Sequence, residues 1–137
     1  MAKHMVQFTL AALLTLAASP AFAEGDIKKG EKIFKKCRAC HTVGEGAKIK
    51  LGPVLNNVFG ATAGASADYA SKYSKAMKKK GEEGLVWNAE TLSDFLTKPK
   101  KYIKKTKMAF AGIKKEKQRE NLLAYLLQYS PDYKPAE

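Results

Sequence analysis

A chain of 137 residues with 25 Lys+Arg against 13 Asp+Glu, net +12, fits one small domain rather than two. Its positive excess points to an acidic partner surface (protein, headgroup or nucleic acid), and composition alone does not choose among these.

The chain starts with a short basic stretch, Met1 to His4, and a largely apolar run, Met5 to Ala18. Ala21-Phe22-Ala23 follows, and charge begins at Glu24. That order reads as a secretory signal peptide over residues 1–23, cleaved after Ala23. The apolar run is well short of the ~20 residues a membrane-spanning helix needs. Cleavage leaves a domain of 114 residues, 24–137, that loses Lys3 and no acid, so its net charge is +11. No later stretch is apolar enough to span a bilayer, so no stable membrane insertion is expected.

Four helical segments are expected in this domain. Asp26 is a suitable N-cap for the first, which runs from about Ile27 to Cys37 with Ile27, Gly30, Ile33, Phe34 and Cys37 on one face. A long loop, Thr42 to Gly64, follows, and loops of that length are usually functional. The second helix is predicted from Tyr69 to Lys79, with a stripe of Tyr69, Ala70, Tyr73, Ala76 and Met77. Asn88 caps the third, Trp87 and Leu92 occupy the two positions of a hydrophobic staple, and Pro99 ends it. An irregular stretch from Pro99 to about Ile113 leads to the last helix, roughly Lys115 to Tyr129, which Pro131 stops. With no alternation of period two and no internal repeat, the domain reads as all-α.

Cys37-Arg38-Ala39-Cys40-His41 contains both cysteines of the chain and the only histidine of the predicted domain. This is the attachment signature for haem c. Two thiols three positions apart can form thioethers with the two vinyl groups of a porphyrin, and the adjacent imidazole can then reach iron. Three other readings fit less well. A redox-active Cys-x-x-Cys pair belongs on a strand-to-helix turn in a βαβ setting, which is absent here. A Cys37–Cys40 disulfide would close a tiny loop and leave His41 unexplained. Zinc wants four ligands, and the motif offers three at most. For the sixth iron position the domain offers two methionines. Met77 sits on a predicted helix in a packing position. Met108 lies in an irregular stretch, 67 residues beyond His41, with ample chain to cross to the opposite face. A lysine is the alternative ligand, once its ammonium has lost a proton.

The domain resembles, along nearly its whole length, the class I c-type cytochromes of mitochondria and of the bacterial periplasm (the c-two group). The residues that carry the resemblance are Gly25-Asp26-Ile27-Lys28-Lys29-Gly30, Ile33-Phe34, the cysteine–histidine pentapeptide, Leu51-Gly52-Pro53, Trp87, Glu90-Thr91-Leu92, Pro99 to Ile103, Thr106 to Ile113 and Leu122 to Leu126. The resemblance implies an all-α fold of about four short helices and long loops wrapped around one haem, attached through Cys37 and Cys40. It makes His41 and Met108 the iron ligands and the Pro53 carbonyl the acceptor for the second ring N–H of His41. It makes Tyr73 and Trp87 hydrogen-bond donors to a haem propionate, and Thr106 a partner of the inner propionate and a buried water. It also implies that Gly30 and Phe34 cross the last helix near Leu122 and Tyr125. The chain departs from the family in several places. Ala61 stands where an arginine often follows the Phe-Gly pair, and Phe95 where a tyrosine often faces the methionine sulfur. Lys104-Lys105 replaces a common Pro-Gly, and Ser66 to Ser71 is an added stretch.

Iron held by His and Met has no open coordination position, which suits one-electron transfer and not an enzyme's substrate chemistry. Lys35, Lys36, Lys48, Lys50, Lys104, Lys105 and Lys107 flank the motif and the methionine loop. They could steer a monomeric, periplasmic carrier to acidic patches on membrane complexes: a cytochrome bc-type reductase, a terminal oxidase or a photosynthetic reaction centre. Export argues against nucleic acid as a partner. Two rivals remain at this level: a five-coordinate haem enzyme or sensor with Met108 off iron, and a haem-free module with a Cys37–Cys40 disulfide.

Overall fold

The computed structural model describes residues 25–136; the expected signal segment, residues 1–23, lies outside the described residues. Five helices run in order among the described residues: α1 Ile27–Phe34, α2 Lys75–Glu82, α3 Ala89–Thr97, α4 Pro99–Tyr102 and α5 Glu116–Leu127. Among the described residues the only β-pairing is one isolated bridge between Thr62 and Val86, so the fold is all-α as the sequence indicates. No helix of the described residues is long and apolar enough to cross a membrane.

Asp26 starts α1 by accepting a hydrogen bond from the Lys29 N–H (2.9 Å), satisfying one of the free N–H groups at the helix start. That bond and the Lys29 ammonium hold the Asp26 carboxyl below its usual range. The helix crosses α5 in very close contact. A Cβ on Gly30 would strike the Asn121 carbonyl oxygen and lie 2.7 Å from the Tyr125 Cβ. The Asp26 N–H donates to the buried Asn121 side chain (2.8 Å), and the Phe34 and Tyr125 rings pack at 5.3 Å. Phe34, Ile103, Leu122 and Leu123 are fully buried at the centre. The predicted crossing of Gly30 and Phe34 over the last helix is therefore present.

At α3, Asn88 accepts from the Thr91 N–H (2.9 Å) and the Thr91 hydroxyl accepts from the Asn88 N–H (2.9 Å), a reciprocal capping box. Trp87 and Leu92 are both buried in the shared core, as their staple positions predict. Arg119 joins α5 to α3, donating to the Ser93 hydroxyl (2.9 Å) and to the Ile113 and Lys114 carbonyls (both 2.9 Å).

Several boundaries differ from expectation: α1 ends at Phe34 and not at Cys37, and α2 runs on to Glu82, past Lys79. The second helix begins at Lys75, not Tyr69, because the buried Ser74 accepts from the Met77 N–H (3.0 Å) and caps it there. Tyr69 instead closes a single 3-10 turn, Ala67–Tyr69, and its hydroxyl donates to the Leu51 carbonyl. Pro99 ends α3 as predicted, but it also opens α4 at the first helical position, where its fixed φ and missing N–H cost nothing. The stretch after Pro99 is thus one helical turn before it becomes irregular.

Replacing Gly30 by Ala improves helix propensity by ~1 kcal/mol. The clash with α5 outweighs it, because forcing an extra carbon into a packed interface costs about 1–3 kcal/mol where the neighbours can shift, and here the nearest neighbour is backbone. Denaturant titration of Gly30→Ala should therefore show lower stability than the parent chain; equal or higher stability would contradict the crossing.

Candidate functional site

The chain after α1 keeps turning helically through the motif. Cys37 N–H bonds the Phe34 carbonyl (2.8 Å), Cys40 N–H the Cys37 carbonyl (3.0 Å) and His41 N–H the Cys37 carbonyl (2.8 Å). Residues three and four apart on such a turn share a face, so both thiols and the imidazole point to one side. Both cysteines are free and half-buried, so the structure does not contain the disulfide that the haem-free reading needs. Burial first, and the neighbouring Cys40 second, push the Cys37 thiol up to about 11. A thiol that stays protonated at neutral pH is a poor nucleophile for disulfide exchange.

His41 is buried, and its Nδ1 lies 2.7 Å from the Pro53 carbonyl. A carbonyl can only accept, so Nδ1 carries the proton and the lone pair of Nε2 is left for a metal. Burial holds the His41 pKa down, opposed by the Pro53 bond, and the neutral imidazole that results is the form that ligates. The Gly52 N–H donates to the Cys40 carbonyl (2.8 Å), and a Cβ on Gly52 would fall on the imidazole, 2.8 Å from Nδ1. The loop can lie against the ring only because Gly52 has no side chain. Gly52 matters to the site more than its place in a Leu-Gly-Pro run reveals, since the close approach depends on folding.

Met108 is half-buried and, like Cys37, packs against the central cluster. Its N–H donates to the hydroxyl of buried Thr106 (3.3 Å). The loop before it carries backbone strain: Lys105 has φ 67°, a left-handed conformation costing ~1–2 kcal/mol for a residue with a Cβ. The Lys107 ammonium donates to the Lys72 carbonyl (2.9 Å), tying the methionine loop to the chain just before α2, a bond that the sequence does not announce.

Trp87 is buried, with its ring 5.1 Å from that of Phe95. Tyr73 is half-buried, edge-on to Tyr69 at 4.8 Å. Burial pushes the Tyr73 hydroxyl up, and hydrogen bonds with Ser66 oppose the shift. Lys35, Lys36, Lys48, Lys104 and Lys105 are exposed and make no ion pair with a carboxylate among the described residues.

The family model for cytochrome c matches residues 27–130. The chain belongs to the cytochrome c family. Cytochrome c2 of Agrobacterium tumefaciens (strain II Chrys) is 56% identical over 114 residues, which cover 83% of this chain and 100% of the relative. Cytochrome c of Guizotia abyssinica is 50% identical over 113 residues, covering 82% and 95%. A solved structure of cytochrome c2 from Rhodospirillum Centenum superposes with a TM-score of 0.72 at 37% identity, covering 78% of this chain and all of that one. As a cytochrome c, the chain is a haem-carrying electron-transfer protein with haem c bound covalently, and Cys37 and Cys40 stand at the attachment spacing. Its residues fit that group: free thiols on one face, a neutral imidazole with Nε2 available, and a glycine loop that admits the ring.

Gly52→Ala should force the imidazole away from the Pro53 carbonyl and lower the stability of the haem-loaded protein by about 1–3 kcal/mol, the usual cost of overpacking. Thermal melts followed by haem absorption check this, and parent-like melting would contradict the placement of the ring.

Proposed function

We propose that the chain is a one-electron carrier whose haem iron is ligated by His41 and Met108, working in the periplasm between membrane complexes. The observation that carries this reading is the bond from His41 Nδ1 to the Pro53 carbonyl (2.7 Å). It fixes the ring and leaves Nε2 as the donor on one side, and hydrogen-bonded ligand histidines of this kind are more basic and better oriented.

When bound, the haem supplies an iron centre that alternates between ferrous and ferric states, and thioether ligation favours a high potential. The protein's own groups do the rest. Cys37 and Cys40 anchor the porphyrin edge. Thr106, by accepting from the Met108 N–H, sets the turn that presents the thioether. Trp87 and Tyr73 donate to a propionate, with Thr106 on the inner one, holding charge that would otherwise demand water. Met108 fills the position a substrate would need, so the centre transfers electrons and does no bond-making chemistry.

Periplasmic location rests on the signal-like residues 1–23. The 114 residues that would remain equal the span over which the Agrobacterium relative aligns across its full length. The exposed lysines around the motif and methionine loop suit docking on acidic patches of a cytochrome bc-type reductase, a terminal oxidase or a photosynthetic reaction centre, with this chain as a monomer.

Met108→Ala tests the ligand set. The ferric variant should lose the weak long-wavelength sulfur-to-iron charge-transfer band and take up cyanide or imidazole at once, whereas the parent resists both. An unchanged spectrum in Met108→Ala would overturn the assignment and favour the five-coordinate or lysine-ligated alternatives.

A further inference from the structure

The family match ends at residue 130, but the chain continues, and its path is described to Ala136. The tail folds back on the domain. The Tyr133 N–H donates to the Ser130 carbonyl (3.1 Å), and the turn so closed brings the Tyr133 ring onto Phe59, centroids 5.3 Å apart. A Cβ on Gly60 would lie 3.2 Å from the Tyr133 Cδ2, so the ring rests against bare backbone. Two further bonds tie a second turn, residues 57–61, to the end of α5. The Asn57 N–H donates to the Tyr129 carbonyl (2.8 Å), and the buried Phe59 N–H to the hydroxyl of buried Ser130 (3.3 Å).

That turn contains two left-handed residues, Asn57 (φ 57°) and Gly60 (φ 82°), the residue types that take up this conformation most readily. Its far side holds Trp87 by both backbone groups: the Gly60 N–H donates to the Trp87 carbonyl (2.7 Å), and the Trp87 N–H to the Ala61 carbonyl (2.8 Å). A continuous line of contact therefore runs from Tyr133 through Phe59 and Gly60 to Trp87.

We propose that the tail beyond residue 130 is a strap in which Tyr133 is a positioning residue for electron transfer: it holds the 57–61 turn, through it fixes Trp87, and so keeps water from the haem side that Trp87 covers. The proposal rests on the reading of Trp87 as a propionate donor given above. Ferric haem carries one more positive charge than ferrous haem and is favoured by water, so a drier, fixed Trp87 side raises the reduction potential.

The test compares four haem-loaded variants with the parent: Tyr133→Ala, a chain ended after Ser130, Tyr133→Phe and Trp87→Phe. Reduction potential and amide hydrogen exchange at Gly60 and Trp87 are the readouts. Tyr133→Ala and the shortened chain should have a lower potential and about tenfold faster exchange at both amides, the signature of local opening. Tyr133→Phe should match the parent, because the ring makes the contact, and Trp87→Phe should lower the potential. If Trp87→Phe lowers the potential but Tyr133→Ala and the shortened chain keep that of the parent, even with a lower melting temperature, the strap is overturned and the reading of Trp87 survives. A Trp87→Phe protein at the parent potential overturns the reading of Trp87, and with it the route proposed.

Discussion

The hydrogen bond between His41 Nδ1 and the Pro53 carbonyl joins the two stretches of chain that make the site. On one side stands the helical turn that carries Cys37, Cys40 and His41. On the other is the Leu51-Gly52-Pro53 loop, tied back by the Gly52 N–H to the Cys40 carbonyl (2.8 Å). Without that bond a buried imidazole would have two equivalent ways to place its proton and no reason to prefer one rotation. With it, Nε2 is committed as a donor, and the ring direction follows from backbone geometry alone.

The rest of the domain serves to keep that turn and the methionine loop in place. The α1–α5 crossing, close enough that Gly30 admits no side chain, sets the direction in which α1 delivers the motif. Asn121 bonds the N–H of Asp26 at the start of the same helix. Residues 69–72 are held at two points: the Tyr69 hydroxyl to the Leu51 carbonyl, next to Gly52 and Pro53, and the Lys72 carbonyl to the Lys107 ammonium, next to Met108. One short segment thus touches both the Leu51-Gly52-Pro53 loop and the Met108 loop. A frame of this kind suits an electron carrier, since a centre that keeps its geometry in both oxidation states has little to rearrange.

Local signals were legible in the sequence, and non-local ones were not. The Asn88 cap, the Trp87–Leu92 staple and the cysteine–histidine motif each span five residues or so, and the chain's own turn brings them together. The sequence pattern starts the second helix too early because Tyr69, Ala70, Tyr73, Ala76 and Met77 do have helical spacing. Yet the Tyr69 hydroxyl is bound to Leu51, and the buried Ser74 supplies a stronger start. Pro99 signalled a stop, and the same fixed φ made it a start. The contact of Gly52 with the His41 ring and the seating of Tyr133 on Phe59 both depend on neighbours distant in sequence, and no period or motif encodes them.

The most direct test of the central claim is nitrogen NMR of the ferrous, haem-loaded protein carrying isotopically labelled histidine. His41 Nδ1 should carry a slowly exchanging proton, while Nε2 should carry none and show the shift of a metal-bound nitrogen. A proton on Nε2, or an Nδ1 proton that exchanges as fast as one open to solvent, would contradict it.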